Sequence, residues 1–434
     1  MSHMSEKLGF WSVFALVTGS QIGSGVFMLP ASLAPYGLYS LFGWAISGLG
    51  AVMLALVFAQ LCSWFPKTGG PHVYVKEAFG SCVAFFTGWT YWIISWVSTT
   101  VVIIASIGYL LPLIGDHSTA FILSLEIALL LSITALNFRG VNAAGHVEFF
   151  LTLLKIIPLL IVPCIALFYF NYDNFFLSEP LAQLTNSQIV SRVTLLTLWG
   201  FIGLESATTA AGSVKNPSVT IPRAVVVGTL CVALLYFINC FAILGVIPGG
   251  ELMYSNAPYA DAVRYIVGGN WHLVVSIIAS IICIGTLNAW MLASGQIVLG
   301  LAQDGLLPIW FGRKNNYDAP FLGLIISSIG ITLLLIMTAN KGLANQVLTI
   351  IDFSVTAFLF VYIICCFAFF KILLQKKEKL SNNILKVLYG GIALIFCCWV
   401  VYETSFYTVL TASLFTVSGI PFYFLFHLKG LKNN

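Results

Sequence analysis

The sequence predicts an all-α integral membrane protein: twelve transmembrane helices in one domain, with helices 1 and 6 broken and two five-helix halves inverted relative to each other. Three observations carry that prediction. Of the 434 residues, 59% are hydrophobic and only 8% charged, with a mean hydropathy of +0.99, where a soluble domain carries about a quarter charged residues. Twelve apolar stretches follow one another with short polar connections, each near the length that crosses a bilayer. Two of them are interrupted at their centres by glycine and polar residues, five spans apart.

The twelve stretches run over 8–34, 39–64, 82–113, 119–138, 149–171, 189–212, 223–247, 272–302, 320–338, 346–370, 385–402 and 406–426. The third and eighth exceed about 20 residues and are expected to tilt or project beyond the membrane. The first is too long for a signal-peptide core, so no secretory signal is read. Cysteines lie mostly within apolar runs and show no C-x-x-C spacing, so they read as small buried thiols.

Orientation follows from the connecting segments. With the N-terminus inside, the inner segments hold Lys7, Lys67, Lys76, Arg139, Lys215, Arg223, Arg313, Lys314, Lys371, Lys376, Lys377, Lys379, Lys386, Lys429 and Lys432. The outer ones hold Arg192, Arg264 and Lys341. Fifteen cations against three place both termini in the cytoplasm.

The first span is interrupted at Gly19-Ser20-Gln21-Ile22-Gly23-Ser24-Gly25-Val26-Phe27. Glycine weakens helix, and serine and glutamine compete for backbone hydrogen bonds. Non-helical backbone at membrane depth survives where it is buried in protein or lines a wet cavity. Free N–H groups on the second half-helix then form an anion site suited to a carboxylate. The competing reading is a tight helix contact made by small residues. The sixth span repeats the interruption at Trp199-Gly200-Phe201-Ile202-Gly203-Leu204-Glu205-Ser206. Because five is odd, residues 189–370 form a second half inverted relative to 8–171, with 385–426 outside the repeat. Such a pattern points to a transporter with a site at mid-membrane.

Four ionisable residues stand inside spans: Glu126, Lys155, Glu205 and Asp352. Intramembrane charge marks a functional candidate. Glu205 lies in the second break, placed to gate a path or exchange a proton; alternatively it is a structural carboxyl bonded to backbone. Lys155 either snorkels to the cytoplasmic interface or sets its ammonium against the first break, where a lysine can carry a coupling proton. Asp352 either faces the site and pairs with a positive ligand group or sits at the interface near a helix start. Glu126 has no motif around it. Trp199 and Trp290 are flat rings near the breaks, able to stack on a guanidinium or hold an ammonium, or else packing residues. A membrane enzyme would need a nucleophile–base or metal-ligand constellation. His3, His72, His117, His146, His272 and His427 lie outside the spans or at their ends without ligand spacing, so no cofactor or metal is expected.

Taken together, these residues resemble the amino acid–polyamine–organocation (APC) transporter superfamily over essentially the whole chain. The motifs are the Gly19–Phe27 stretch with Leu29-Pro30-Ala31, then Gly69-Gly70-Pro71 with Tyr74, then Trp199–Ser206. Lys215-Asn216-Pro217, Ile221-Pro222-Arg223 and Ala302-Gln303-Asp304-Gly305 complete the order. Within the superfamily the chain looks most like bacterial basic amino acid/polyamine antiporters of the arginine/agmatine exchanger type.

That resemblance implies the LeuT-like fold and alternating access. It implies a substrate carboxylate held by backbone N–H groups at Ser24 and Gly25, and an α-amino group meeting carbonyls at Gln21, Trp199 and Ile202. Trp199 would lie over the substrate as an inner gate and Trp290 would stack on its side chain. Ile94, Ser95 and Thr99 would line the side-chain end, and Glu205 would match a glutamate linked to pH response. Ser20 and Thr99 replace asparagines of the exchanger, and Asp352 falls near a serine. Lys155 instead resembles the proton-coupled members. The expected function is therefore exchange of a basic amino acid for its amine product in a bacterial inner membrane, with proton-coupled symport of neutral amino acids as the alternative. Expected partners are the amino acid or polyamine and the lipid bilayer, with protons and a second copy as further candidates and no nucleic acid.

Overall fold

Apolar side chains that cannot be hydrated force each membrane-depth backbone to satisfy its own hydrogen bonds, and helix is the local solution. The computed structural model describes residues 7–115, 117–175, 184–339, 343–376 and 380–430. Lys341, Lys377, Lys379, Lys432 and His3 lie outside them, as do the side chains of His146, His427 and Lys429. Among the described residues the regular elements are helical, apart from one isolated bridge between Leu8 and Val214.

In chain order the helices are α1 (Phe10–Gln21), α2 (Ser24–Leu33), α3 (Tyr39–Trp64), α4 (Pro71–Phe79), α5 (Ser81–Gly108), α6 (Leu111–Ile114), α7 (Thr119–Asn137) and α8 (Val141–Ala166). After them come α9 (Asn186–Leu198), α10 (Ser206–Thr209), α11 (Pro217–Val246), α12 (Gly249–Leu252), α13 (Pro258–Val267) and α14 (Trp271–Gln303). The chain finishes with α15 (Phe321–Thr338), α16 (Leu343–Gln375), α17 (Leu380–Glu403), α18 (Phe406–Val417) and α19 (Gly419–Gly430). Several starts are set by sequence. Proline opens α4, α11 and α13, where its missing N–H costs nothing. Thr185 and Gln188 form a reciprocal capping box at α9.

Eleven helical segments among the described residues are long and apolar enough to cross a membrane. The stretch predicted as the sixth span, 189–212, is not one of them, because its helix is cut into pieces. It comprises α9, a 3-10 turn at Trp199–Phe201, α10 and a second turn at Ala211–Ser213. The expected interruption is there, and it shortens each piece below a spanning length.

Burial orders the helices. In the segment Phe10–Leu33, 89% is buried within the protein, against 11% for Phe406–Phe426. The broken first segment is thus the axis of the bundle, and α18 and α19 are peripheral. Around α1 pack α8, α11 and α14; α3 lies against α9 and α11, and α5 against α14 and α16. This ring of long helices buries unwound backbone that lipid could not solvate.

Candidate functional site

Helix α1 ends at Gln21 and α2 begins at Ser24, with Ile22 extended (φ −74°, ψ 98°) and Gly23 at φ −156°, ψ −135°. A helix ending this way leaves its last carbonyls without intrahelical donors. Side chains from three other helices supply them. Lys155 Nζ on α8 donates to Gly19 O at 2.7 Å, and Trp290 Nε1 on α14 donates to Ser20 O at 3.2 Å. Tyr236 OH on α11 donates to Gln21 O at 2.6 Å, and Thr286 Oγ1 on α14 to Ile22 O at 2.6 Å. The negative end of α1 is therefore met by an ammonium and three neutral donors.

The facing end is different in kind. Among the described residues no N-cap side chain bonds the start of α2, so its first N–H groups point into the break. The side-chain oxygen Gln21 Oε1 is buried there without a partner among the described residues. Close approach demands glycine at Gly23, where a Cβ would fall 2.6 Å from Thr286 Oγ1.

The second break meets the first. Gly203 adopts φ +104°, a region that L side chains avoid. Ser20 Oγ bridges the two, 3.0 Å from Gly203 O and 2.7 Å from Ser206 Oγ. Trp199 Nε1 donates to Ser24 Oγ at 3.3 Å.

A cavity lies between these breaks. Six of the ten residues expected to bind substrate line it: Gln21, Ser24, Gly25, Trp199, Ile202 and Trp290. Ser98, Val102 and Thr286 complete the wall, together with Ser20 and Gly23. A water's centre has only ≈ 20 Å³ available, about enough for one water molecule. That is too small for an amino acid.

Ile94, Ser95 and Thr99 lie on α5 but not in that wall. The two hydroxyls fold back on the helix, Ser95 Oγ to Trp92 O at 2.7 Å and Thr99 Oγ1 to Ser95 O at 2.6 Å. Ser98 and Val102, one turn apart, face the cavity instead. Asp352 on α16 is also outside it, paired with Arg192 of α9 at 2.9 Å. Of the two readings of Asp352, the pairing with a ligand has no support in this geometry. Lys155 is fully buried and bonded to the first break, so the snorkelling position is not the one it takes.

Glu205 is fully buried and accepts from two hydroxyls, Tyr91 OH at 2.8 Å and Tyr362 OH at 2.7 Å. One carboxylate thereby joins α5, the second break and α16. Tyr91 stands two turns from Ser98 along α5, about 10 Å by helical rise, toward the Ser81 end. Neither tyrosine stands out in the sequence; a hydroxyl in an apolar span is the one signal that could find them.

Beyond Glu205 the same end of the bundle is tied together by hydrogen bonds between segments. Leu8 N donates to Ser213 O and Lys215 N to Leu8 O, each at 2.9 Å, while Gly69 N reaches Thr209 O at 3.1 Å and Gly212 N reaches Thr68 Oγ1 at 2.9 Å. At the end of α14, Asp304 Oδ2 accepts from His72 Nε2 at 3.1 Å, and Asp304 O from Lys76 Nζ at 2.8 Å. Partial burial works against the Asp304 carboxylate, but the His72 hydrogen bond and the charges of His72, Lys76 and Lys67 outweigh it and hold its pKa below the ordinary value.

Comparison with known proteins fixes the kinship. A family model described as amino acid permease matches residues 8–426. The chain belongs to the amino acid permease family. The match runs through both breaks. Among relatives, the putrescine transporter PotE of Haemophilus influenzae is 29% identical over 98% of this chain and 98% of its own length. A cadaverine/lysine antiporter of Escherichia coli is 31% identical over 77% of this chain and 75% of its own. PotE of Escherichia coli is 27% identical over 96% of each. This permease is an integral membrane protein of a family of transporters.

Proposed function

We propose that this permease is a secondary active transporter that exchanges a basic amino acid for its amine product by alternating access. Twelve crossings are assigned, the sixth being α9 to α10, arranged as two inverted five-helix repeats plus two peripheral helices. Both termini lie on the cytoplasmic side of a bacterial inner membrane. The observation that carries the reading is the N-terminus of α2, without a side-chain cap among the described residues, opening on a cavity that also holds Gln21 Oε1, without a partner among the described residues, and two tryptophan rings. The N–H groups at Ser24 and Gly25 suit a carboxylate. Gln21 Oε1, with the carbonyls of Trp199 and Ile202, suits an ammonium. Trp290 offers a ring face for a cationic side chain, a contact of about 0.5–2 kcal/mol. The relatives' names, a putrescine transporter and a cadaverine/lysine antiporter, support the same substrate class.

Because the cavity is too small for an amino acid, binding requires one side of the bundle to open. Trp199 over Ser24 and the Glu205–Tyr91–Tyr362 clasp lie on the path toward the Leu8 end, which the charge distribution assigns to the cytoplasm. Opening there breaks the clasp, and opening on the other side moves α2.

The test is counterflow. Proteoliposomes loaded with cadaverine, putrescine or agmatine should accumulate labelled lysine, ornithine or arginine only when the matching amine is inside. Uptake of a neutral amino acid driven by a pH gradient, with no counter-substrate, would instead support the symport reading. Lys155 favours that second reading, because its ammonium holds the α1 carbonyl end where a coupling ion or proton has leverage.

A further inference from the structure

A second concavity lies between α11 and α14, in the segment that carries the short helices α12 and α13. Its volume is ≈ 370 Å³ and its floor is apolar, made by the buried Ile247 and Leu252. Tyr254 and Tyr265 form its sides. Three charges line it: Glu251, Asp261 and Arg264. Asp261, Arg264 and Tyr265 are spaced i, i+3, i+4 on α13, which places them on one face. No ion pair engages Glu251 or Arg264 among the described residues. Asp261 is held on one oxygen by Ser255 Oγ, which also accepts from Ala257 N at 3.2 Å. The cavity therefore presents two carboxylates and one guanidinium, separately, above an apolar floor.

We propose that this cavity is a peripheral binding site for a basic α-amino acid. The inference rests on the exchange reading above and adds to it the side from which the amino acid enters. A lysine- or ornithine-like molecule carries one carboxylate and two ammonium groups on an alkyl chain. That is the complement of Arg264, Glu251 and Asp261 over Ile247 and Leu252. A diamine offers nothing to Arg264 and brings a second cation near it, so the site discriminates amino acid from amine by charge pattern. In the orientation proposed here the cavity opens outward. Its helix also reaches the substrate path. Tyr259 on α13 packs its ring 4.7 Å from that of Phe27 on α2, and its hydroxyl donates to Asn239 Oδ1 on α11 at 2.7 Å. Tyr259 is on the face of α13 opposite Asp261, Arg264 and Tyr265, so a ligand gathered on the cavity face sits one helix width from the half-helix that moves when the outer side opens.

The test is equilibrium binding of labelled lysine to the purified full chain in nanodiscs, paired with uptake by cells expressing it. The wild type should bind two lysines per chain, with cadaverine competing well at only one. Trp290→Leu should weaken binding in the cavity between the breaks, and Arg264→Gln or Glu251→Gln binding in the peripheral one; both of the latter sit at exposed positions where folding is not at stake. In cells each should raise the KM for external lysine about two- to fivefold, the scale of an exposed charge contact, and high salt should shrink the difference. A single site, weakened in Trp290→Leu and indifferent to Arg264→Gln, overturns the proposal. Absence of any lysine binding overturns it as well. Arg264-sensitive binding without counterflow of any amino acid or amine would leave the peripheral site standing and remove the exchange reading.

Discussion

The ammonium nitrogen of Lys155 lies 2.7 Å from the carbonyl oxygen of Gly19 and 3.1 Å from Thr286 Oγ1. Thr286 in turn donates to Ile22 O, so one lysine and one threonine hold the end of α1 open. An ammonium buried in a bilayer is stable only with such partners. Lys155→Ala removes the charge at the negative end of α1 and the 2.7 Å donor to Gly19 O, while the one proton of Thr286 Oγ1 is already given to Ile22 O. Wild-type transport should be indifferent to sodium. The alanine variant should lose gradient-driven uptake, or be trapped in one state with binding intact. Uptake measured in proteoliposomes with and without sodium, and with and without a pH gradient, checks both statements. A fully active Lys155→Ala would reduce this lysine to a packing role.

Trp290 ties the backbone of the first break to the cavity, since its Nε1 holds Ser20 O while its ring lines the wall. Trp290→Leu should weaken substrate binding by about 1–2 kcal/mol through loss of the cation–π face, which is roughly 5- to 30-fold in Kd. The thermal midpoint should fall less, because leucine keeps the position apolar. Titration calorimetry beside a melting curve separates the two. Unchanged affinity in a stable variant returns Trp290 to packing.

For Glu205 the expected readout is a pH profile. Its two oxygens each accept a tyrosine hydroxyl, and a proton arriving on the carboxyl removes the negative charge that strengthens those bonds. Loosening the clasp between Tyr91 and Tyr362 frees the path toward the Leu8 end. Glu205→Ala should therefore keep binding and flatten the dependence of transport on pH. Tyr362→Phe, which removes one donor and leaves the carboxyl, should shift the profile rather than flatten it. Identical profiles for wild type and Glu205→Ala across acid to neutral pH would remove Glu205 from the mechanism.

Both breaks are legible in the residues themselves. Gly19, Gly23 and Gly25 each weaken a helix, and the chain unwinds at Ile22 and Gly23, with Gly19 still inside α1 and Gly25 already inside α2. The second break follows in the same way from Gly200 and Gly203. What composition does not carry is rotational phase along α5. Ser95, Ser98 and Thr99 are chemically alike, and a turn of about 100° per residue decides which of them meets the cavity; the fold turns Ser98 inward. Partners are equally hidden. Arg192 and Asp352 lie 160 residues apart, and no local pattern announces that they pair. The same holds for Tyr91 and Tyr362, brought to one carboxylate by the packing of α5 and α16.

A last expectation concerns the end of the bundle away from α2, where Asp304 links α14 to α4. Its carboxyl accepts from His72 and lies 3.7 Å from Lys76 Nζ. These partners hold its pKa below the ordinary value of 3.8 against the opposing effect of burial. A carboxyl depressed in the folded protein binds protons less readily there than when unfolded. It therefore contributes stability above the ordinary value, and that contribution is lost as the pH falls through the folded value. Because the group is partly exposed, the contribution is about 1 kcal/mol or less. Asp304→Asn should lower the melting temperature of the purified protein at pH 7 and leave it close to wild type at a pH well below the ordinary carboxyl value. His72→Gln, which keeps a donor but removes the imidazole, should lose only part of the effect. Parallel melting curves from acid to neutral pH test this, and a pH-independent gap between Asp304→Asn and wild type would show that the residue acts through shape and not through charge.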